Sequence, residues 1–196
     1  MAEYDPATAL VVVDVQNDFA DPQGALYVHG GEAVVAAVNH EVGLARGAGA
    51  LVVYTQDWHP PMTPHFVTGG GPWPVHCVAG TWGAALAPEL EVAGPVVRKG
   101  TGGEDGYSAF TVRDPQTGED HPTELAALLR ERGTERVVVV GLATDYCVKE
   151  TALDALRGGF ATTVLEGAVR AVDLEAGDGA RALEELRRSG VQVLPA

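Results

Sequence analysis

The side chains best suited to chemistry fall just after short apolar runs. Asp14 opens D-V-Q-N-D-F after the run at 10–13, Asp57 and His59 stand in D-W-H-P after 51–54, Lys99 follows Val96 and Val97 in R-K-G, and Cys147 lies in G-L-A-T-D-Y-C-V after 137–140. A carboxylate, an ammonium and a thiol are what thiol-based acyl transfer needs: a nucleophile, a cation to favour its ionised form, and an acid/base to carry its proton. Cys147 sits three residues after Thr144, in the first turn of the helical pattern that Val148 begins. There the positive helix end and free amides favour a thiolate. Lys99 would lower the thiol pKa further, and Asp14 could take the proton and return it to a leaving amine. No His follows Cys147, which excludes a papain-like order of nucleophile and then His. Taken singly, Cys147 reads as a small buried residue, Asp14 as a turn carboxylate and Lys99 as a surface charge. Their joint placement favours the catalytic reading.

A second group is Asp57, His59, His65 and His76. Three of the six histidines fall between 59 and 76, with His29, His40 and His121 outside. Imidazole and carboxylate suit zinc, iron or manganese, and D-x-H puts two side chains on one side of an extended segment. Spacing does not separate a metal site from histidines that dress a polar loop. The lack of a thiolate ligand argues for an open site with waters over a closed structural one.

Six β-branched runs, at 10–13, 51–54, 96–97, 137–140, 162–165 and 191–194, would position these groups. Most are apolar without alternation, which suits parallel strands covered on both faces. Between them Val34, Val38, Val42 and Ala45, then Leu125, Leu128 and Leu129, then Val148, Ala152 and Ala155, then Leu183 and Leu186 have helical spacing. The expectation is an α/β fold: a three-layer α/β/α arrangement around a six-stranded, mainly parallel sheet, with 1–196 as one domain. Ligands bind beyond the carboxyl ends of strands in such sheets, where the four motifs lie. Two stretches rich in Pro and Gly, 60–88 and 100–122, are read as long functional loops.

The net charge of −14 opposes nucleic acid and anionic membranes as partners and leaves a homo-oligomer open. Residues 1–6 carry acids and no basic region followed by an apolar stretch, so a soluble, cytoplasmic protein is expected. Cys77 and Cys147 are too few for a disulfide framework and are expected to be free thiols.

In order, D-V-Q-N-D-F, D-W-H-P, W-P-V-H-C-V-A-G-T, K-G and G-L-A-T-D-Y-C-V resemble the nicotinamidase and pyrazinamidase branch of the isochorismatase-like cysteine hydrolases, from Ala9 to about Leu165. The resemblance implies a catalytic triad of Asp14, Lys99 and Cys147, and one divalent metal on Asp57, His59 and His76, with His65 a fourth ligand found in some members. It implies a cis peptide between Leu142 and Ala143, with the amides of Ala143 and Cys147 forming an oxyanion hole. Phe19, Trp73, Tyr107 and Tyr146 fall where the family's pocket aromatics lie, core packing being the competing role for Phe19 and Tyr107. G-T-G-G-E-D-G, before Tyr107, departs most from the pattern. The implied activity is hydrolysis of nicotinamide to nicotinate and ammonia through a cysteine thioester, in pyridine nucleotide salvage. Alternatives are another amidohydrolase of the superfamily acting on a ureide or N-carbamoyl amide, or a non-catalytic metal- or ligand-binding relative.

Overall fold

The computed structural model describes residues 2–195; Met1 and Ala196, the ends of the expected domain, lie outside the described residues. In chain order the elements are β1 (Thr8–Val13), α1 (Asn17–Ala20), α2 (Gly31–Gly47), β2 (Leu51–Asp57), β3 (Val96–Lys99), β4 (Thr111–Arg113), β5 (Asp120–Pro122), α3 (Leu125–Glu131), β6 (Arg136–Leu142), α4 (Lys149–Arg157), β7 (Ala161–Arg170), α5 (Asp178–Ser189) and β8 (Gln192–Leu194). Among the described residues, six strands form one sheet in the order β3-β2-β1-β6-β7-β8, every neighbouring pair parallel.

Both faces of that sheet are buried. Leu10, Val12, Val52, Tyr54, Val138 and Val140 pack with Val34, Val38 and Val42 of α2. The alternate residues Ala9, Val11, Val13, Val53, Val137 and Val139 pack with Leu125 and Leu129 of α3, Ala152 and Ala155 of α4, and Leu183 and Leu186 of α5. Every residue of β1 is buried and all but Thr8 are apolar, the consequence of this double cover. The three-layer expectation therefore holds, and the six runs are the six strands of the sheet.

Two elements differ from the sequence reading. The stretch 100–122, read as a loop, carries the antiparallel hairpin β4–β5, whose exposed strand Asp120–Pro122 has no apolar run to reveal it. The four-residue α1 lacks the length for a periodic signal.

The chain builds outward from β1 to β2 and β3 on one side, and from β6 to β7 and β8 on the other. The switch in direction lies between β1 and β6, where adjacent strand ends open a crevice. Asp14 follows β1 directly, and the turn holding Cys147 follows β6. Among the described residues no helix is long and apolar enough to cross a membrane.

Candidate active site

Asp57 and Lys99 end β2 and β3 and are register partners. Asp14, fully buried, takes a left-handed φ of 49° as the chain turns off β1. Thr55 fixes it, donating its hydroxyl to Asp14 Oδ1 at 2.5 Å and accepting the Asp14 N–H at 3.1 Å. Lys99 Nζ lies 2.9 Å from Asp14 Oδ2, donates to Asp57 Oδ1, and is 3.7 Å from Cys147 Sγ. The Lys99–Asp14 contact is a fully buried ion pair. Asp14, Asp57 and Cys147 each offer an atom within 4.8 Å of the others. Three strand ends and the turn after the fourth thus bring Asp14, Asp57, Lys99 and Cys147 together.

Cys147 belongs to a π-helical turn, Thr144–Val148, that precedes α4. The Val148 N–H donates to the Ala143 carbonyl at 3.0 Å, the wider spacing of such a turn, and α4 begins one residue after Val148. The surroundings of the thiol oppose the ionisation expected from its place in a helical turn. Burial pushes the Cys147 thiol well above its usual range; Lys99 pulls it down, but Asp14 and Asp57 oppose that pull. One ammonium shared by two carboxylates leaves no net positive charge in this set to favour a thiolate. Burial likewise raises Asp14, against the pull of Lys99. Asp57, where burial would act upward, is held well below the carboxylate range by Lys99 and then His59. Burial would lower Lys99, but Asp14 and Asp57 raise it further and keep it charged.

His59, His65 and His76 are buried and converge, with ring centroids 5.0 to 5.5 Å apart. Asp57 Oδ2 faces them, 3.8 Å from His59 Nε2 and 4.0 Å from His76 Nε2. The ring nitrogens fit a metal. Both nitrogens of His59 are buried with no hydrogen-bond partner among the described residues, a costly state unless a cation takes one. His76 Nδ1 is engaged by the Pro74 carbonyl at 2.7 Å, which leaves Nε2 as the free donor atom. Burial holds the His76 pKa down to about 4, so the imidazole is neutral and its lone pair available. Asp105 Oδ1 lies 2.7 Å from His65 Nδ1, though out of line for an N–H···O bond.

A cavity opens over Cys147, lined by Phe19, Trp73, Tyr107, Tyr146, Leu142 and Ala143, with Asp57, His65 and His76 on one side and Leu26, Val28, Gly106 and Val172 completing it. Trp73 meets Tyr146 edge-on at 4.9 Å and donates its indole N–H to the Tyr107 hydroxyl at 2.9 Å. Phe19 packs into the core and also against His76 at 5.5 Å, so packing and lining coincide. The peptide between Leu142 and Ala143 is cis, and both residues line the cavity.

Sequence reasoning passed over Gln16, Thr55, Asp18 and Asp105. Asp18 accepts the Cys77 N–H at 2.6 Å and the Ala25 N–H at 2.9 Å, tying the segment beside His76 to a cavity-lining loop. Gln16 and Asp18 lay within D-V-Q-N-D-F, where a run of polar residues on a strand end was the available signal. Thr55 and Asp105 carried none.

The family model for the isochorismatase domain matches residues 8–196. The chain is 41% identical to the nicotinamidase/pyrazinamidase of Mycobacterium tuberculosis, over 95% of this chain and 97% of that one. It superposes on the pyrazinamidase of Pyrococcus horikoshii, solved in complex with zinc, with a TM-score of 0.86 and 40% identity over 97% and 100% of the two chains. On PnC1 from L. infantum, solved in complex with nicotinate, the TM-score is 0.88, with 39% identity over 99% and 96%.

Proposed function

This chain belongs to the isochorismatase family, and we propose that it is a nicotinamidase, a single-domain enzyme hydrolysing nicotinamide to nicotinate and ammonia. The observation that carries the reading is Lys99, in contact with Asp14, Asp57 and Cys147, the last two of which line an aromatic cavity together with His65 and His76.

Asp57, His59, His65 and His76 would hold a divalent metal, zinc first with iron or manganese also suiting these donors, and when bound it supplies a Lewis acid for the pyridine nitrogen. Phe19, Trp73, Tyr107 and Tyr146 sandwich the ring and present its carboxamide to Cys147. As Cys147 Sγ bonds to the carboxamide carbon, Asp14 takes the thiol proton. Lys99 remains protonated and keeps the two carboxylates in place. The amides of Ala143 and Cys147 hold the oxyanion, a stabilisation of about 3 kcal/mol per donor in comparable sites. The C–N bond then breaks, Asp14 protonates the departing nitrogen, and ammonia leaves a thioester. Asp14 next takes a proton from water as its oxygen attacks that carbon. The C–S bond breaks, nicotinate leaves, and the Cys147 thiol is restored.

One observation weighs against the alternative amidohydrolases. Among the described residues the cavity lining holds no Lys or Arg, so apart from the metal the carboxylate of a ureido or N-carbamoyl acid would meet no cation there. Intact Asp14, Lys99 and Cys147 weigh against a non-catalytic relative.

The test is ammonia release from nicotinamide, pyrazinamide, N-carbamoyl amines and isochorismate, with metal content measured on the same sample. Nicotinamide turnover by a metal-loaded protein is expected; a preference for an N-carbamoyl amine would replace the reading.

A further inference from the structure

Gln16 is fully buried at the rim of the site and takes no part in the reaction as written. Its place follows from an unequal strand pair. The ladder between β1 and β2 ends at Val12 and Tyr54, while β2 runs on to Asp57. β1 has by then turned away at Asp14, where the Gln16 N–H closes back onto the Asp14 carbonyl at 2.8 Å. In a strand the N–H and C=O of one residue point to the same neighbour. On its other side β2 still has β3, and the Trp58 N–H donates to the Lys99 carbonyl at 2.9 Å. The two main-chain groups of Asp57 therefore face the space that β1 has vacated, and buried groups of this kind must be paired.

The Gln16 carboxamide pairs both. Its Oε1 accepts the Asp57 N–H at 2.8 Å, and its Nε2 donates to the Asp57 carbonyl at 2.8 Å. The same Nε2 donates to the Ala84 carbonyl at 2.9 Å. One side-chain amide thus stands in for a peptide unit of the missing strand, continuing the ladder where Asp57 leaves the sheet.

We infer that Gln16 is the positioning residue for Asp57, fixing where that carboxylate sits between Lys99 and the histidines. Because Gln16 also closes the turn at Asp14, it sets the spacing of the two carboxylates that share Lys99. The metal-facing half of this inference rests on the function proposed above, in which Asp57 is a ligand.

Gln16→Met keeps the volume of the side chain and removes every hydrogen bond. Gln16→Glu keeps the acceptor for the Asp57 N–H but sets a carboxylate against two carbonyls. Gln56→Met is the control: Gln56 is also buried and donates to the Ala84 carbonyl at 3.0 Å, without touching the Asp57 main chain through its side chain. Zinc affinity of the metal-free proteins is measured by competition with a chromophoric chelator, alongside kcat and KM for nicotinamide and thermal unfolding. Both Gln16 variants should lose about 10- to 100-fold in zinc affinity and in kcat, as loss of an outer-shell partner does elsewhere. Gln56→Met should lose thermal stability while staying within about 2-fold of wild type on both readouts. Gln16→Met within 2-fold of wild type, or Gln56→Met falling as far as Gln16→Met, overturns the inference. If Gln16→Met does not fold, Gln16→Glu decides by the same readouts, and failure of both to fold overturns it in favour of a purely structural role. A wild type that binds zinc but leaves nicotinamide intact defeats the proposed function while the zinc comparison still judges Gln16.

Discussion

Asp57 and Lys99 are opposite one another in register at the last rungs of β2 and β3, and their side chains form an ion pair in the core of the site. The pairing is a product of strand register, so removing one partner leaves the rest of the set stranded. Lys99→Met would leave Asp14 and Asp57 as two buried carboxylates with no cation between them. A loss of roughly 3–5 kcal/mol in stability is expected, the cost of breaking a buried pair from one side, together with loss of ammonia release. Denaturant unfolding of the variant measures the first and a coupled ammonia assay the second; an unchanged midpoint would show that Lys99 is not the keystone of this charge set.

Cys147→Ala should abolish turnover, by about 10³-fold or more, as removal of a nucleophile does in comparable enzymes. Nicotinamide binding, followed by calorimetry on the metal-loaded variant, should persist because the aromatic walls and histidines are untouched. Substantial turnover by this variant would remove Cys147 from its proposed role.

Gly100 adjoins Lys99 with a left-handed φ of 76°, and a Cβ there would sit 2.5 Å from His59 Nδ1. Gly70, at φ 93°, has open space around it. Gly70→Ala should cost only the backbone strain, about 1 kcal/mol. Gly100→Ala adds displacement of the His59 ring, so its zinc affinity should fall by at least about 10-fold while that of Gly70→Ala holds. Chelator competition on the two variants makes the comparison; equal affinities would dissociate His59 from the metal.

His76 gives the metal-free protein a definite pH dependence. Burial, reinforced by His59 and His65 and opposed by Asp57, lowers its pKa to about 4, whereas an unfolded His titrates near 6.5. Between those values the unfolded chain binds the extra proton, so stability is complete above about 6.5 and is lost as the pH falls toward 4. Thermal midpoints of wild type and His76→Asn, both stripped of metal, should fall with different slopes across pH 7 to 4.5, the wild type more steeply. Parallel slopes would contradict it.

Tyr107→Phe deletes the acceptor for the buried Trp73 indole N–H, a loss of about 1–3 kcal/mol when a donor is left unpaired. KM for nicotinamide should rise several-fold, with kcat changed less, because the aromatic wall loosens while the atoms around Cys147 stay. A kcat effect larger than the KM effect would relocate Tyr107 to the reacting centre.

Much of this architecture was legible because its determinants are local. A strand buried on both faces is largely apolar without alternation, so the six runs announced the sheet, and the groups after them marked its rim. The proposed metal ligands were legible by residue type, and their convergence followed from the loop that closes His76 against His59. What stayed hidden depends on contacts across the chain. Gln16 and Thr55 look like ordinary polar residues until the strands place them beside Asp57 and Asp14. The hairpin β4–β5 is exposed and polar, and nothing in its composition separates it from a loop. The charge around Cys147 is hidden for the same reason: the number of carboxylates sharing Lys99 is a property of the assembled rim, where Asp57 faces the lysine as well as the histidines.

The absence of Lys and Arg from the described cavity lining also bears on how the product is held. Amide hydrolysis turns a neutral carboxamide into a carboxylate, and on the proposed reading that charge is created beside Asp14 and Asp57, whose shared ammonium is already committed. Away from the metal, the walls offer the new anion aromatic edges and aliphatic groups. Hydrolysis so exchanges a neutral guest for a charged one, which the aromatic and aliphatic walls solvate less well, leaving the hold on nicotinate to the metal side of the cavity.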